Sequence, residues 1–561
     1  MVYESPGQNG QTLHSVLLDP LKLPTTLRAD VTTTDDDLTL EDTDRVSGRA
    51  ALVGNVKAAL AVSGAVRSTL GPRGMDKMLI DDDGKIMITN DGATVLETAK
   101  VEHPTAQLVI ETSKNQDKMA RDGTTTTIII LAELLRNALE LTRSGLHPTT
   151  IIQGYQKSLE ICRKELPSLA KPITSASDLN KIIGTCVGKK IDPSMLDLVS
   201  KLAIESSESI GEGHVDDERM LVNRISIEEG AVGDTELISG FVTRKQRLDQ
   251  SMPSRGESCT IAVIDGGIEV PELEFDAELE ISSIGVKDGF DQRNREKIIK
   301  MVGILSSLGV GIVILRDGVD DMAQNALREA GITCFRRFDK EDLDRVAEQT
   351  GAIISRSIQE LEADQLGSCT SWSQRKVSGV NYLTIHSDEG RGKTLIARGS
   401  SAALREEIIR TFDDALGVAV RVRGPAPMLP GGGSTWSYLA NQLRRKSTKL
   451  SDRGQLAVEG YADALETIPR VLAENSGQDP VDRVLQLSAA QSKKGPWMGC
   501  DINNGSLIDL YDAGIVDLRM VIENGLSGAT EGAISVLRID DLLWAKVEPG
   551  QPDWNEEEVT D

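Results

Sequence analysis

Short glycine turns occur near both ends of this 561-residue chain, and two of them carry carboxylates. Asp91-Gly92 and Asp122-Gly123 each stand beside threonines, Gly71-Pro72 precedes them, and Pro430-Gly431-Gly432-Gly433 lies far downstream. Glycine lets backbone N–H groups approach an anion, and a carboxylate oxygen suits a hard divalent cation. The sequence therefore predicts one nucleotide-phosphate and metal site that draws on both ends of the chain.

Length and composition indicate a large globular protein. A chain of 561 residues suggests about three or four domains. Hydrophobic residues make up 39%, charged residues 27% and aromatic residues 3%, which is a soluble balance. No apolar run reaches the roughly 18 residues of a membrane span. The stretch Met1–Ser5 has no basic start followed by an apolar segment, so no secretory signal is predicted. We expect a cytoplasmic protein with no membrane partner.

Charge and metal-ligating residues exclude several classes of partner. The formal charge of −25 opposes nucleic-acid binding, because phosphates are neutralised by clustered lysine and arginine. The six cysteines contain no Cys-x-x-Cys pair, and the five histidines show no metal-binding spacing. Neither a zinc site nor a disulfide framework is predicted.

The hydrophobic pattern changes twice along the chain, from helical to mixed and back to helical. Residues 1–45, rich in threonine and aspartate, are expected to form a flexible acidic arm. Apolar spacing predicts helices from Arg49 to Leu70 and from Thr124 to Leu135, the second capped by Asp122 or Thr124. Further strand-like and helix-like runs are Thr260–Ile264, Val310–Leu315, Met322–Ala330, Ser401–Arg421, Leu450–Ala473, a segment near Ile502, and Val536–Ile539. This order predicts a helical domain in two halves with an α/β module inserted between them.

The two aspartates suit different tasks at a phosphate site. The carboxylate of Asp122 would repel phosphate directly, so its natural use is to hold Mg²⁺ that bridges to the phosphates. Asp91 would position an attacking water. The structural alternative stays open for each of them, because an Asp-Gly pair beside threonines is also typical of an ordinary turn.

Several of these motifs together resemble a known family. Thr69–Leu79, followed by Ile88–Thr94, closely resembles the signature of the group II chaperonins, the family of the thermosome and the eukaryotic cytosolic ring chaperonin. The resemblance covers nearly everything after the N-terminal arm and continues through Val101–Pro104, Asp122–Thr126, Gly233–Leu237, Pro430–Gly433 and Leu537–Asp541.

The resemblance implies a multidomain α and α/β chaperonin fold. A mainly helical equatorial domain would bind ATP, an α/β apical domain with a helical protrusion would bind substrate, and a small intermediate domain would act as a hinge. The expected ranges are 46–167 and 426–561 for the equatorial halves, 168–230 and 386–425 for the intermediate halves, and 231–385 for the apical domain, with the protrusion near 283–302.

The resemblance also implies roles for individual residues around ATP and Mg²⁺. Asp122 would hold the metal, Asp91 and Asp414 would position and activate the hydrolytic water, and Lys190 would sense the γ-phosphate. The other nucleotide contacts would come from Leu70, Gly71, Pro72, Gly92, Gly123, Thr124, Thr125, Thr126, Gly431, Gly432 and Asp517.

The implied function is an ATP-dependent chaperone subunit in a double ring of identical or paralogous subunits that encloses non-native polypeptides. Apolar residues in the protrusion would contact neighbouring protrusions or substrate, so that no separate lid co-chaperonin is needed; the alternative is an ordinary amphipathic helix packed inward. These residues are Ile284, Val286, Phe290, Ile298, Ile299 and Met301.

Two departures from the family pattern favour a second hypothesis, a structural or regulatory ring subunit with weak or no ATP hydrolysis. Arg121 stands where the family usually has glycine, and Ser434-Thr435-Trp436 replaces the usual Ala-x-Glu. If position 121 needs a positive φ, arginine costs about 1–2 kcal/mol there. A third hypothesis, a stand-alone kinase-like enzyme, predicts a monomer.

Overall fold

The computed structural model describes residues 43–80, 84, 86–98, 101, 103–188, 193–210, 218–269, 284–422 and 427–545. Its helices are α1 Gly48–Arg67, α2 Gly92–Thr98, α3 Pro104–Ala120, α4 Thr124–Arg143, α5 Pro148–Leu169, α6 Ala176–Val187, α7 Pro193–Ile210, α8 Glu218–Leu221, α9 Ile284–Ser307, α10 Asp321–Glu329, α11 Lys340–Thr350, α12 Ala402–Arg421, α13 Ser434–Ser447, α14 Gly454–Asn475, α15 Pro480–Lys494 and α16 Arg519–Leu537. Its strands are β1 Thr43–Ser47, β2 Lys77–Ile80, β3 Ile86–Thr89, β4 Val222–Ile227, β5 Glu236–Ser239, β6 Phe241–Thr243, β7 Arg255–Ile264, β8 Ile312–Leu315, β9 Thr333–Phe335, β10 Gly367–Val377, β11 Val380–His386, β12 Lys393–Arg398, β13 Met428–Pro430, β14 Met498–Cys500, β15 Leu507–Asp509, β16 Val516–Leu518 and β17 Asp541–Ala545.

The largest hydrophobic core joins both ends of the chain. It is built from α1, α3, α4 and α5 of the first half and α13, α14 and α16 of the second, a group we call the helical core. Helix α4 lies at its centre, because the consecutive residues Ile128–Leu131 are all fully buried and a helix that is apolar on every side must be surrounded. The rings of Tyr155 and Tyr461, one from each half, meet edge to face with centroids 5.5 Å apart.

The terminal strands close the same core. Strand β1 pairs antiparallel with β17, so that Thr43 lies opposite Ala545. Strand β1 thus begins inside the segment expected to be an acidic arm, and residues 1–42 of that segment lie outside the described residues. Helix α1 is long and apolar enough to cross a membrane by composition, but half of that stretch is buried within the protein.

The middle of the chain forms a six-stranded sheet in the order β6-β11-β10-β7-β8-β9. Strands β7, β8 and β9 run parallel, whereas β10, β11 and β6 are joined by antiparallel pairings. Apolar side chains from α9 and α10 cover one face, and those from α11 cover the other. The sheet is therefore mixed, with the predicted parallel character confined to its β7–β9 side.

A smaller unit, which we call the linking module, lies where the chain passes between the helical core and the six-stranded sheet. It consists of the three-stranded sheet β4-β12-β5 with α6, α7, α8 and α12. Strands β4 and β12 pair in parallel although 165 residues lie between Ile227, which ends β4, and Lys393, which begins β12. The chain thus crosses this module once before and once after the inserted sheet.

Most predicted elements of the helical regions are confirmed, and one is wrong. Helices α1, α4, α10, α12 and α14 overlap the segments predicted as helices, although α1 ends at Arg67 and α14 begins at Gly454. The predicted strand Val536–Ile539 is instead the last turn of α16 and the residues after it, and the strand starts at Asp541. A short apolar run does not distinguish helix from strand, and here Val536 and Leu537 complete the buried face of a helix.

The predicted protrusion coincides with the first part of α9. Residue 283 and the side chains of Ile284, Val286 and Phe290 lie outside the described part of the chain. Ile298 is buried against the six-stranded sheet, which fits the inward-packing alternative, whereas Ile299 is 57% exposed. The described end of this helix therefore carries both an inward and an outward apolar side chain.

Candidate nucleotide-binding site

A cavity of about 480 Å³ lies between the helical core and the linking module. Thirteen of the predicted site residues line it: Leu70, Gly71, Pro72, Asp91, Gly92, Asp122, Gly123, Thr124, Thr125, Thr126, Asp414, Gly432 and Asp517. Gly431 lies just behind this wall, where a Cβ would come 3.0 Å from the backbone of Ile515. Lys190 lies outside the described residues. A neighbouring groove of about 550 Å³ between α6 and α7 contains none of the predicted residues.

Two long helices begin at the cavity. Gly123 at the start of α4 has φ 80°, and Gly433 at the start of α13 has φ 83°. The N-cap of each helix is a glycine, which has no side chain to bond the first turn. The prediction that Asp122 or Thr124 is the N-cap of α4 is therefore wrong. The glycines turn the chain sharply at both starts. The first N–H of α13, that of Ser434, donates to the carbonyl oxygen of Gly431 at 3.0 Å, whereas Thr124–Thr126 of α4 line the cavity. Such a helix end attracts phosphate through its free N–H groups and its partial positive charge.

Side chains packed against the backbone explain two other glycines of the predicted site. A Cβ at Gly92 would lie 2.5 Å from Thr125 Oγ1, and one at Gly71 would lie 2.4 Å from Leu472 Cδ2. Both contacts are shorter than atoms tolerate. Side chains at these positions would therefore displace the walls of the cavity.

Asp91 has a structural task as well as a place in the cavity wall. Its carboxylate accepts hydrogen bonds from Thr94 N at 2.8 Å and Thr94 Oγ1 at 2.7 Å, so it caps the short helix α2. Its other oxygen lies 3.5 Å from Thr124 Oγ1 at the start of α4. The turn interpretation and the site interpretation are thus compatible, because the cap fixes the carboxylate beside the α4 N-terminus.

Asp122 presents a carboxylate at the same helix end. Gln116 Nε2 donates to the carbonyl oxygens of Asp122, at 2.8 Å, and Val521, at 3.2 Å, and so fixes the turn. Within the described residues there is no cluster of three or more metal-ligating side chains. One carboxylate with nearby threonine hydroxyls fits Mg²⁺, which usually takes one or two protein carboxylates and completes its shell with water and phosphate oxygens.

Burial and a neighbouring carboxylate together change the ionisation of Asp517. Burial, together with the negative charge of Asp122, raises the pKa of Asp517 to about 8. Asp517 lies on β16, opposite Leu429 of β13, which places it in the cavity floor. A cation bound at Asp122 would offset this repulsion, so the donor set also fits a divalent metal electrostatically.

Asp414 and its neighbour Asp413 face different directions on α12. Asp414 lines the cavity, whereas Asp413 pairs with Arg224 of β4 at 2.7 Å. The helix period places consecutive residues about 100° apart around the axis, so only one of the pair faces the site. The third predicted acid therefore reaches the cavity from the linking module, while Asp91 and Asp122 belong to segments packed on the helical core.

The two departures from the family pattern are accommodated. Arg121 adopts φ 56° and ψ 12°, the left-handed conformation that glycine would adopt at no cost. The hydroxyls of Ser434 and Thr435 donate to the carbonyl oxygens of Met498 and Pro430 at 3.0 and 2.7 Å. Trp436 is buried in the helical core and also borders the cavity.

Several lining residues were not predicted. They include Thr69, Arg73, Asn90, Asp117, Arg121, Lys181, Thr185, Asn503 and Ile515. Arg73 and Asn90 stand inside the motifs already recognised, so their position in the sequence was a usable signal. Lys181 and Asn503 stand in no motif, and only the fold brings them to the cavity.

Comparison with known proteins agrees with this architecture. Residues 62–547 match the TCP-1/cpn60 chaperonin family. The chain is 37% identical to thermosome subunit 1 of Haloferax volcanii over 90% of both chains. It is also 37% identical to a thermosome subunit of Methanocaldococcus jannaschii and 36% identical to thermosome subunit beta of Thermoplasma acidophilum, over 90% of this chain and 94% of each relative. The chain therefore belongs to the TCP-1/cpn60 chaperonin family and is a group II chaperonin subunit.

Proposed function

We propose that this subunit hydrolyses ATP with Mg²⁺ and uses the reaction to move its modules around non-native polypeptide inside a double ring. The observation that carries the proposal is the meeting of Asp91, Asp122 and Asp414 in one cavity that the N-termini of α4 and α13 also border. Phosphoryl transfer depends mainly on positioning and charge stabilisation, and this arrangement offers both.

The residues would divide the work by their chemistry. The first N–H groups of α4 would bind phosphate oxygens, and Asp122 would hold the metal. Mg²⁺, when bound, supplies positive charge that neutralises the phosphates. Asp91 and Asp414 would accept hydrogen bonds from a water on the γ-phosphate side and hold it for attack. Pro72, Gly432 and Asp517 would complete the nucleotide pocket.

Movement would follow from the origin of the three acids. Asp414 comes from the linking module, so the full set exists only when that module closes on the helical core. Product release would remove the charge that favours closure, which would couple turnover to opening.

Exposed apolar side chains support the proposed partners. Met78 and Ile80 of β2 and Ile88 of β3 are 64%, 58% and 42% exposed, and such patches are typical of contacts with another subunit. Ile299 on α9 would meet substrate or a neighbouring subunit. A cytoplasmic location and the lack of a separate lid protein stay predictions.

A matched pair of variants tests the reaction. Phosphate release from the purified assembly should fall at least a hundredfold in Asp414→Asn and less than twofold in Asp413→Asn, which changes the neighbouring carboxylate outside the cavity. Equal, negligible release from the wild type and from Asp414→Asn would reject ATP hydrolysis and favour a structural ring subunit.

A further inference from the structure

Arg121, Glu218 and Arg421 form a buried charge cluster between the helical core and the linking module. Arg121 ends α3, Glu218 begins α8 and Arg421 ends α12. The Nε and Nη2 atoms of Arg121 lie 2.8 and 2.5 Å from Oε1 of Glu218, and Nη1 of Arg421 lies 3.3 Å from its Oε2. The arginine side chains are 16% and 5% exposed and that of Glu218 is 5% exposed, so water screens these charges weakly.

Asp117 balances the cluster. Its carboxylate lies 3.2 Å from Nη1 of Arg121, which brings two positive and two negative side chains together. Burial alone would lower the pKa of Arg121, but the charges of Glu218 and Asp117 outweigh it and raise the pKa. Arg121 therefore stays charged, and its charge is matched from both modules.

Arg421 adds a second bond across the same boundary. Its Nε donates to the carbonyl oxygen of Met119 at 2.9 Å, and its Nη2 donates to that of Lys118 at 3.0 Å. These carbonyls belong to the last turn of α3, where a helix has no internal donors and its dipole attracts a cation. Arg421 at the end of α12 thereby caps the C-terminus of α3.

The side chain of Arg121 also packs directly against α12 at the end of α3. A Cβ at Gly417 of α12 would lie 2.4 Å from Cγ of Arg121 and 2.7 Å from its Cβ. Asp414 precedes Gly417 by three residues and lies on the same side of α12, one turn away. On the other helix, Asp122 directly follows Arg121. The Arg121–Gly417 contact therefore controls how closely Asp414 approaches Asp122.

We propose that Arg121 is a positioning residue that clamps α12 against the turn between α3 and α4 and so holds Asp414 at the nucleotide cavity. Its effect on turnover rests on the proposed function, whereas the clamp itself does not. Arg121, the departure from the family pattern, itself borders the cavity and accordingly strengthens closure by holding Asp414 in place.

Four variants of the full-length assembled protein test the clamp. Arg121→Gly removes the side chain and also relieves the left-handed backbone. Gly417→Ala forces the arginine away from α12. The double variant carries the new methyl group but lacks the arginine side chain with which it would clash. Arg337→Gly is the matched control, because this exposed arginine in the six-stranded sheet module has φ 60° and no place in the cavity. The readouts are kcat and KM for ATP, and amide hydrogen exchange by mass spectrometry.

The clamp predicts a specific pattern. Arg121→Gly and Gly417→Ala should each lower kcat about tenfold with KM within twofold, and amides of 117–121 and 412–421 should exchange at least threefold faster. Exchange in 128–135 of the central helix α4 should not change. Adding Gly417→Ala to Arg121→Gly should have no further effect, because the new methyl group then has room. Arg337→Gly should alter neither readout.

The alternatives are distinguishable. Unchanged exchange in 117–121 and 412–421 of both single variants would overturn the clamp, as would additive losses in the double variant. A loss of kcat with a proportional change in KM would assign Arg121 to nucleotide binding and also overturn it. If the wild type releases no phosphate, the proposed function fails, and the exchange comparison alone decides on the clamp.

Discussion

Tyr511 donates a hydrogen bond of 3.0 Å from its hydroxyl to Oδ1 of Asp178, which joins the segment before β16 to the first turn of α6. Asp178 is 1% exposed and also accepts from the backbone and hydroxyl of Thr174 and the hydroxyl of Ser175. The ammonium group of Lys181 lies 3.8 Å from the centre of the Tyr511 ring. These contacts of Asp178, Tyr511 and Lys181 thus stabilise the start of the linking module.

Asp178→Asn should reduce stability in a pH-dependent way. Burial would raise the pKa of Asp178, but the hydrogen bonds from Thr174, Tyr511 and Ser175 outweigh burial and lower the pKa to about 2. A lowered pKa means that the stabilisation is present above the unfolded value of about 4 and is lost as the pH falls toward 2. The variant should cost about 1–3 kcal/mol at pH 7 and progressively less below pH 4.

Urea unfolding of both proteins between pH 3 and pH 7 measures this difference. Asp321→Asn is the control, since Asp321 is an exposed aspartate in the first turn of α10. Its effect should be small at every pH. A constant loss for Asp178→Asn across the range would contradict the assignment to the ionised carboxylate.

Gly123→Ala and Gly145→Ala separate backbone strain from nucleotide binding. Both glycines have left-handed backbone, with φ 80° and 89°, and they flank opposite ends of α4. Each alanine should cost about 1–2 kcal/mol of stability. A Cβ at Gly123 would also lie 2.8 Å from Val521 Cγ1, whereas one at Gly145 meets nothing within 4 Å. Only Gly123→Ala should weaken binding of a fluorescent adenine nucleotide, about tenfold; equal affinities would remove the α4 N-terminus from the site.

Local sequence signals predicted several long helices and the glycine turns and carboxylates of the cavity. Helix α4 was evident because Ile128–Ala132 is apolar on every side, and the glycine turns were evident because residues other than glycine rarely adopt a positive φ. The helix cap was misjudged because Gly123, and not a polar side chain, starts α4. Polar side chains are preferred as N-caps because they bond the first N–H groups of a helix. A helix whose first N–H groups bind a ligand does not follow that preference.

Contacts between distant segments could not be predicted. Arg121 and Glu218 stand 97 positions apart in no shared motif, and their pairing depends on how α3, α8 and α12 pack. The same holds for Lys181, which reaches the cavity on α6. Val536 was assigned to a strand because four residues carry too little periodicity to reveal the end of a 19-residue helix.

Glu466→Gln should destabilise the helical core strongly. This buried carboxylate, whose side chain is 6% exposed, bonds Arg444 at 2.5 Å and Arg470 at 2.8 Å. Neutralising it weakens charged hydrogen bonds to two partly exposed arginines, and losing such bonds at a buried acceptor costs about 1–3 kcal/mol. Asp463→Asn is the matched control, because Asp463 bonds the same Arg444 but is 58% exposed, and exposed pairs contribute about 0–1 kcal/mol. Thermal unfolding should separate the two variants, and similar midpoints would reject the difference in burial as the cause.

Asp122→Asn should remove the dependence of nucleotide binding on Mg²⁺. The amide oxygen of asparagine can still accept the hydrogen bond from Gly123 N that the carboxylate accepts at 2.7 Å, so the turn should persist while the charge is lost. Chelation of Mg²⁺ should weaken ADP binding at least tenfold in the wild type and less than twofold in the variant. Asp91→Asn is the control, because asparagine caps α2 as well as aspartate does and leaves Asp122 in place. It should keep the metal-dependent binding measured by calorimetry and lose hydrolysis; metal dependence that survived Asp122→Asn would place the cation on another carboxylate of the cavity.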